Sequence, residues 1–257
     1  MEDALDAFTV QRPLRPTLNR QGYCLTHLDP YCKEFIDLMR REAPVLPVAD
    51  FGCGYGFMTL RLLETGCDVI ANDLHEPHLV ELHHEKATRF PEALRIIPGD
   101  CTQLTFASNS LGGILASRWI HWLTSAEAIR DILKKFYDWL TPDGVACITC
   151  GLCAPAATPA AYLEYLRKKE AAEEWPGWLS MSGGDIKEWI TKLANAPDMY
   201  YGFDEDVLVR EVELVGFSVE KCGLFGTAGV TPGSQLENSH VGVVARKVLT
   251  ENARRII

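Results

Sequence analysis

Two kinds of apolar run alternate along the first half of the chain: short aliphatic or β-branched clusters, and longer stretches whose apolar residues recur every three or four positions. The first spacing belongs to buried strands and the second to amphipathic helices. From Pro30 the residues Phe35, Leu38 and Met39 share a helical face, with Asp29 placed to cap the helix and Pro44 and Pro47 excluding its continuation. A strand then runs through Val48 to Phe51 into the glycine-rich turn Gly52-Cys53-Gly54-Tyr55-Gly56, and Met58, Leu60, Leu62 and Leu63 predict a helix ending at Gly66. Val69-Ile70-Ala71 reads as a second strand. The pattern repeats as a helix from Pro77 to Lys86, strands Leu94 to Ile97 and Gly113 to Ser117, a helix from Ser125 to Leu140 and a strand from Val145 to Cys150. Such a β-α-β rhythm predicts a doubly wound α/β fold, a mostly parallel sheet with helices on both faces.

The rhythm breaks after Cys150. Residues 151–203 contain Pro155, Pro159, Pro176, Gly177, Gly183, Gly184 and Pro197, and between these breakers lie one helical stretch through Tyr162, Leu163 and Leu166 and another through Ile186, Trp189, Ile190 and Leu193. An inserted helical cap is expected there. A last helix follows, capped by Asp204, with Phe203 and Leu208 placed as a hydrophobic staple and Gly216 just past its end. Phe217 to Leu224 and His240 to Val248 read as strands, and their connection without helical pattern predicts an antiparallel hairpin at one sheet edge. The whole chain, 1–257, is expected to form one domain, with 1–44 an N-terminal arm and helix and 151–203 the cap. The arm, to Gly22, has no periodicity and is expected to lie over the core or to be partly mobile.

Composition narrows the partners more than the fold. The formal net charge of −10 sets the average field against a phosphate backbone, so long nucleic acid is disfavoured. No apolar run approaches the length of a membrane span, and the first residues are acidic where a signal peptide would be basic. Nine cysteines, an odd number scattered through apparent strands and helices, fit reduced thiols. A cytoplasmic protein with no membrane partner is expected.

Candidate chemistry begins at the glycine turn. Gly52 and Gly54 allow close approach to the backbone, and the following helix directs free N–H groups toward whatever sits there, which suits a nucleoside-containing ligand. A dinucleotide fingerprint needs its third glycine three residues after the second; Phe57 occupies that position, and the third glycine comes one residue early, at Gly56. The D-x-G-x-G-x-G pattern from Asp50 to Gly56 resembles the first motif of the class I S-adenosylmethionine-dependent methyltransferases. The resemblance spans 45–150 strongly and 204–248 in pattern, since Asp73, Gly99-Asp100-Cys101, Ser117 to Leu123 and Leu140 to Gly144 follow in the family's order. It implies a seven-stranded sheet of order 3-2-1-4-5-7-6 and S-adenosyl-L-methionine as cofactor. It further implies that Asp73 meets the ribose hydroxyls, Asp100 the adenine amino group and Asp50 the methionine amino group, directly or through water, with Gly52, Cys53, Gly54, Leu74, Cys101 and Ser117 completing the cofactor site. Two positions depart from the family: Gly112 replaces a common aspartate, and Asp143 stands where glycine is usual.

A sulfonium methyl is already activated, so transfer needs alignment and exclusion of water more than catalytic side chains. A general base matters only for an acceptor that must lose a proton, and His121 is the candidate. Tyr23, Trp119, Trp178, Tyr200 and Tyr201 are candidates for the acceptor side, and the aromatic content of the insert suggests a small, flat or partly apolar acceptor. A protein, peptide or RNA acceptor is the alternative, as is a catalytically silent cofactor-binding regulator or scaffold. No metal is expected: Cys150-x-x-Cys153 lacks further ligands nearby, and His75, His78, His83 and His84 read as a solvated polar face.

Overall fold

A computed structural model of the chain describes residues 14–19, 23–84, 89–152, 159–180, 199–226 and 239–248. Where the sequence has no periodicity, β1 (Leu14–Pro16) and β2 (Tyr23–Leu25) form a small antiparallel ribbon. Helix α1 (Pro30–Glu42) starts as its cap dictates, with the Asp29 carboxylate accepting the Tyr31 and Cys32 amides at 2.9 Å each. The alternation then runs β3 (Val48–Phe51), α2 (Phe57–Leu63), β4 (Val69–Asp73), α3 (Glu76–Leu82), β5 (Leu94–Pro98), β6 (Leu111–Ser117), α4 (Ala126–Trp139) and β7 (Leu140–Gly151). After α5 (Pro159–Glu170) come the short strands β8 (Trp178–Ser180) and β9 (Met199–Tyr201), then α6 (Glu205–Leu214), β10 (Phe217–Phe225) and β11 (His240–Lys247).

Seven of these strands make one sheet in the order β10-β11-β7-β6-β3-β4-β5, parallel from β3 to β7, with β11 antiparallel to both its neighbours. Counting only the strands of this sheet, the order is 3-2-1-4-5-7-6, as the resemblance implied. Chain order reverses between β3 and β6, and in open α/β sheets ligands bind outside the carboxyl ends of the strands at such a switch point. One face carries Phe51, Ile114 and Ile148 against α4 and α6, with Phe51 and Phe136 stacked at 5.3 Å. On the other, Phe35, Met39 and Leu62 from α1 and α2 pack on Val48, Leu115 and Cys147.

Both departures from the family pattern have local reasons. A Cβ on Gly112 would lie 2.6 Å from the Pro44 Cβ and 2.7 Å from the Leu46 carbonyl, so the Pro44–Leu46 turn leaves no room for an aspartate. Asp143 adopts a left-handed φ of 64°, the backbone a glycine would supply and one that aspartate tolerates better than most residues.

Element ends differ where tertiary contacts override the local pattern. β7 begins at Leu140, five residues earlier than its apolar run, because it pairs with Leu111 of β6, whereas the expected end of α3 at Lys86 lies outside the described residues. The insert is not purely helical: α5 is followed by the antiparallel pair β8–β9, closed where the Gly202 amide donates to the Gly177 carbonyl at 2.7 Å. The second expected helix, through Ile186 and Leu193, lies outside the described residues. α5 docks on the start of α6, where Asp204 caps the helix at the Val207 amide (2.8 Å) and also accepts from Tyr165 Oη (2.6 Å) and Lys169 Nζ (2.8 Å).

Candidate active site

The turn after β3 places three glycines in the left-handed region, with φ of 71° at Gly52, 54° at Gly54 and 74° at Gly56. None has room for a side chain: a Cβ would lie 2.5 Å from Trp119 Cδ1, 2.3 Å from Cys24 Sγ and 2.2 Å from Leu82 Cδ1, respectively. Two backbone donors tie this turn to β4. The Cys53 amide donates to the Asn72 carbonyl at 2.9 Å, and the Gly54 amide to Asp73 Oδ2 at 2.8 Å.

Asp73, buried at the carboxyl end of β4, also accepts from the His75 amide (2.8 Å) and His78 Nδ1 (3.0 Å) through Oδ1. A carboxylate has about four lone-pair sites, so these three bonds fix its plane and leave capacity on the oxygen shared with Gly54. Asn72 extends the arrangement by donating to the carbonyls of Ile97 and Gly99, both at 2.9 Å, which brings the exit of β5 beside Asp73. There Asp100 is exposed and caps the short turn Cys101–Gln103, accepting from the Thr102 amide at 2.8 Å and its hydroxyl at 2.7 Å. Leu74 is exposed beside it, whereas Cys101 is buried, and burial pushes its thiol up to about 12.

Asp50, inside the sheet below the turn, is 1 % exposed and accepts from Thr59 Oγ1 at 2.6 Å. Burial, opposed by the Thr59 hydroxyl bond and aided by the neighbouring Asp73 charge, raises its pKa to about 7. The Cys53 thiol is pushed well above its usual range, chiefly by burial.

Across the switch point, Ser117 Oγ lies 3.1 Å from Thr149 Oγ1. Arg118 takes a left-handed φ of 63°, an unusual conformation that turns the following Trp119 onto Gly52. The indole nitrogen of Trp119 is buried without a hydrogen-bond partner among the described residues. His121 is 5 % exposed and its Nδ1 accepts the Gly151 amide at 3.2 Å. Because an amide only donates, that nitrogen carries the lone pair, and burial followed by the nearby Arg118 charge pushes the pKa down to about 3. The lone pair a general base would use is engaged with backbone, so the base role expected of His121 gains no support from this geometry; His121 fastens the turn Ile120–Trp122 to the end of β7.

The acceptor-side candidates divide into two groups. Tyr201 is buried in β9, which packs on the turn Ile120–Trp122; half-exposed Trp178 stacks on it at 6.3 Å, and Trp175 meets it edge-on at 5.7 Å. Tyr200 lies in the same strand, opposite Leu179. Tyr23 belongs instead to the N-terminal ribbon, opposite Pro16, and that ribbon lies on the glycine turn. Arg15 sits 3.4 Å above the Tyr55 ring and pairs with Glu81, while Tyr55 Oη donates to the Pro16 carbonyl at 2.8 Å. Of the two cysteines with C-x-x-C spacing, Cys150 is buried and Cys153 lies outside the described residues.

Sequence reasoning missed Thr59 and Asn72, which hold Asp50 and the β5 exit, and it placed His78 on a solvated polar face, whereas that ring is buried and holds Asp73. It also missed His240, which begins β11 opposite Gly151 and whose ring stacks on Phe225 at 5.5 Å. Their signal lay in position only, each falling within a few residues of a motif or at a strand end.

A sequence model of the methyltransferase domain family matches residues 48–144. Among curated proteins the chain is similar to phosphoethanolamine N-methyltransferase 3 of Arabidopsis thaliana, 26 % identical over 138 residues, covering 53 % of this chain and 27 % of that protein. It is also similar to malonyl-[acyl-carrier protein] O-methyltransferase of Enterobacter lignolyticus, 25 % identical over 130 residues, covering 47 % and 49 % of the two. The chain thus spans half or less of the length of these relatives. Among solved structures it resembles Burkholderia thailandensis 1,6-didemethyltoxoflavin-N1-methyltransferase, with bound 1,6-didemethyltoxoflavin and S-adenosylhomocysteine. The TM-score is 0.58 at 18 % identity, covering 86 % of this chain and 79 % of that one.

Proposed function

We propose that the chain is a class I S-adenosylmethionine-dependent methyltransferase, its methyltransferase-domain match lying at residues 48–144, and that it transfers the cofactor's methyl group to a small-molecule acceptor held under α5 and the β8–β9 pair. One observation carries this reading: the glycine turn, Asp50, Asp73 and the Ser117–His121 segment meet at the carboxyl ends of the strands flanking the switch point. The residues fit the cofactor. Asp73 has acceptor capacity for a ribose hydroxyl, Asp50 is a buried carboxyl able to ionise beside an ammonium, and Trp119 has an unpartnered indole N–H against the turn.

When bound, S-adenosylmethionine supplies an electrophilic methyl group. The chain would hold the ribose at Asp73, the adenine at Asp100 and the methionine ammonium at Asp50, with Gly52, Leu74 and Cys101 lining the rest of the cofactor site. The β8–β9 pair, with Trp178 and Tyr201, covers the acceptor and excludes water. Since the His121 lone pair is engaged, the reading assigns no side chain to remove a proton and favours an acceptor whose nucleophilic atom carries a lone pair at neutral pH. A cytoplasmic setting belongs to the same reading and is supported by the free thiols of the described cysteines. Among the described residues no helix is long and apolar enough to cross a membrane.

Deuteromethyl-labelled cofactor incubated with panels of small amines, thiols and phenols, and separately with peptides and RNA, tests the acceptor class by product mass. Label in a small molecule is the expected result. Label confined to peptide or RNA overturns the acceptor class, and cofactor binding without any turnover supports a silent binding protein.

Two further outcomes are expected. With its pKa raised to about 7, Asp50 contributes most to stability below pH 4, and that contribution is lost as pH rises through 7. Seating the cofactor's ammonium beside Asp50 expels its proton, so affinity for S-adenosylhomocysteine rises about tenfold between pH 6 and 8. Titration calorimetry at pH 6 in buffers of different ionisation enthalpy will show proton release, which Asp50→Asn abolishes. Trp178→Ala removes a stacked ring worth about 0.5–1.5 kcal/mol, raising the acceptor KM roughly two- to tenfold while S-adenosylhomocysteine affinity is unchanged. Parallel steady-state kinetics and calorimetry separate the two effects.

A further inference from the structure

We infer that His78 is a positioning residue through which the N-terminal ribbon and the Asp73 carboxylate hold each other in place; this rests on the reading of Asp73 as a cofactor contact. His78 is 1 % exposed, on the first turn of α3, with the rings of Tyr55 and His75 each 4.8 Å away and edge-on. Its Nε2 accepts the Leu18 amide at 2.9 Å. A main-chain amide only donates, so Nε2 carries the lone pair and the hydrogen sits on Nδ1, which donates to Asp73 Oδ1 at 3.0 Å. A neutral imidazole therefore spans from the ribbon to the carboxylate, and the ribbon's amide selects the tautomer that donates to Asp73.

The coupling follows from that tautomer. With Leu18 withdrawn, nothing from the ribbon keeps the lone pair on Nε2, and the other tautomer would turn a lone pair on Nδ1 toward the Asp73 charge. Further contacts of the ribbon end on the glycine turn and α3: Arg15 on Tyr55 and Glu81, Tyr55 Oη on the Pro16 carbonyl, and Cys24 against Gly54. Asp73 itself binds the Gly54 amide. A ligand that orders Asp73 and the turn thereby tightens the ribbon, and by linkage the docked ribbon strengthens the ligand by the same factor.

Two substitutions separate the halves of the link. His78→Asn keeps a donor near the Nδ1 position and loses the acceptor for Leu18; His78→Gln keeps an acceptor near Nε2 and loses the donor to Asp73. The readouts are hydrogen exchange of the amides of residues 14–19 and 23–25, with and without S-adenosylhomocysteine, and calorimetric affinity for that ligand. In the unsubstituted chain the ligand will raise ribbon protection about fivefold or more. His78→Asn will lower ribbon protection in the free protein, whereas His78→Gln will keep it and weaken the ligand about five- to tenfold. Both variants will lose the ligand-dependent gain in protection. Ligand binding that leaves ribbon exchange unchanged, or two variants that retain the linked gain, overturns the coupling while leaving the cofactor reading intact. Absence of ligand binding by the unsubstituted chain overturns both.

Discussion

Asp73→Ala lowers affinity for S-adenosylhomocysteine by roughly 10- to 150-fold, the equivalent of the 1.5–3 kcal/mol carried by charge-assisted hydrogen bonds. The loss has two sources. The ribose loses an ionised acceptor, and the Gly54 amide, the His75 amide and His78 Nδ1 lose the carboxylate that holds them in one plane. Asp73→Asn distinguishes them, because the amide keeps the shape but offers only one accepting oxygen to donors on both sides; its affinity will fall between the parent and Asp73→Ala. Calorimetric titration of the three proteins measures the series, and an unchanged affinity in Asp73→Ala removes this residue from the ribose site.

Gly52→Val is the most damaging single change to the turn. The backbone φ of 71° costs a β-branched residue about 1–2 kcal/mol or more, and the new Cβ would stand 2.5 Å from Trp119 Cδ1, an overlap worth about 1–3 kcal/mol as neighbours shift. A fall in Tm of roughly 5–15 °C is expected, with S-adenosylhomocysteine binding lost because Trp119 must leave its place on the turn. Gly66→Ala is the control. Its φ of 95° carries strain, but nothing lies within 4 Å of the added carbon, so Tm falls by only about 2–5 °C and ligand binding survives. Differential scanning calorimetry with and without ligand tests both, and equal effects would mean that contact with Trp119 does not matter.

The parallel sheet was legible because strands buried on both faces leave short aliphatic clusters, and because glycine, proline and capping residues mark each transition, as Asp29, Gly56, Ser125, Asp204 and Gly216 do. The ribbon was not. Leu14–Pro16 and Tyr23–Leu25 are three residues each, too short for an alternation, and the partners of Arg15, Pro16 and the following Leu18 are Tyr55, Glu81 and His78, far along the chain. β8 and β9 escaped notice likewise, being brief and paired across about twenty residues of intervening sequence. In the site, the motif spacing pointed to Asp50, Asp73 and Asp100, but not to what holds each one. Asp50 leans on Thr59 a turn into the next helix, Asp73 gathers three donors from the glycine turn and the start of α3, and Asp100 caps its own loop. His121 shows the reverse. Its position beside the crevice suggests a base, and only the direction of the Gly151 amide reveals where its lone pair is engaged.

Titration calorimetry of the full chain at pH 8, with S-adenosylhomocysteine and separately with NAD, tests most directly whether the carboxyl edge of this sheet is a methyl-donor site. Saturable one-to-one binding of S-adenosylhomocysteine, displaced by S-adenosylmethionine and insensitive to NAD, is the expected result. Saturable NAD binding with no uptake of S-adenosylhomocysteine would contradict it.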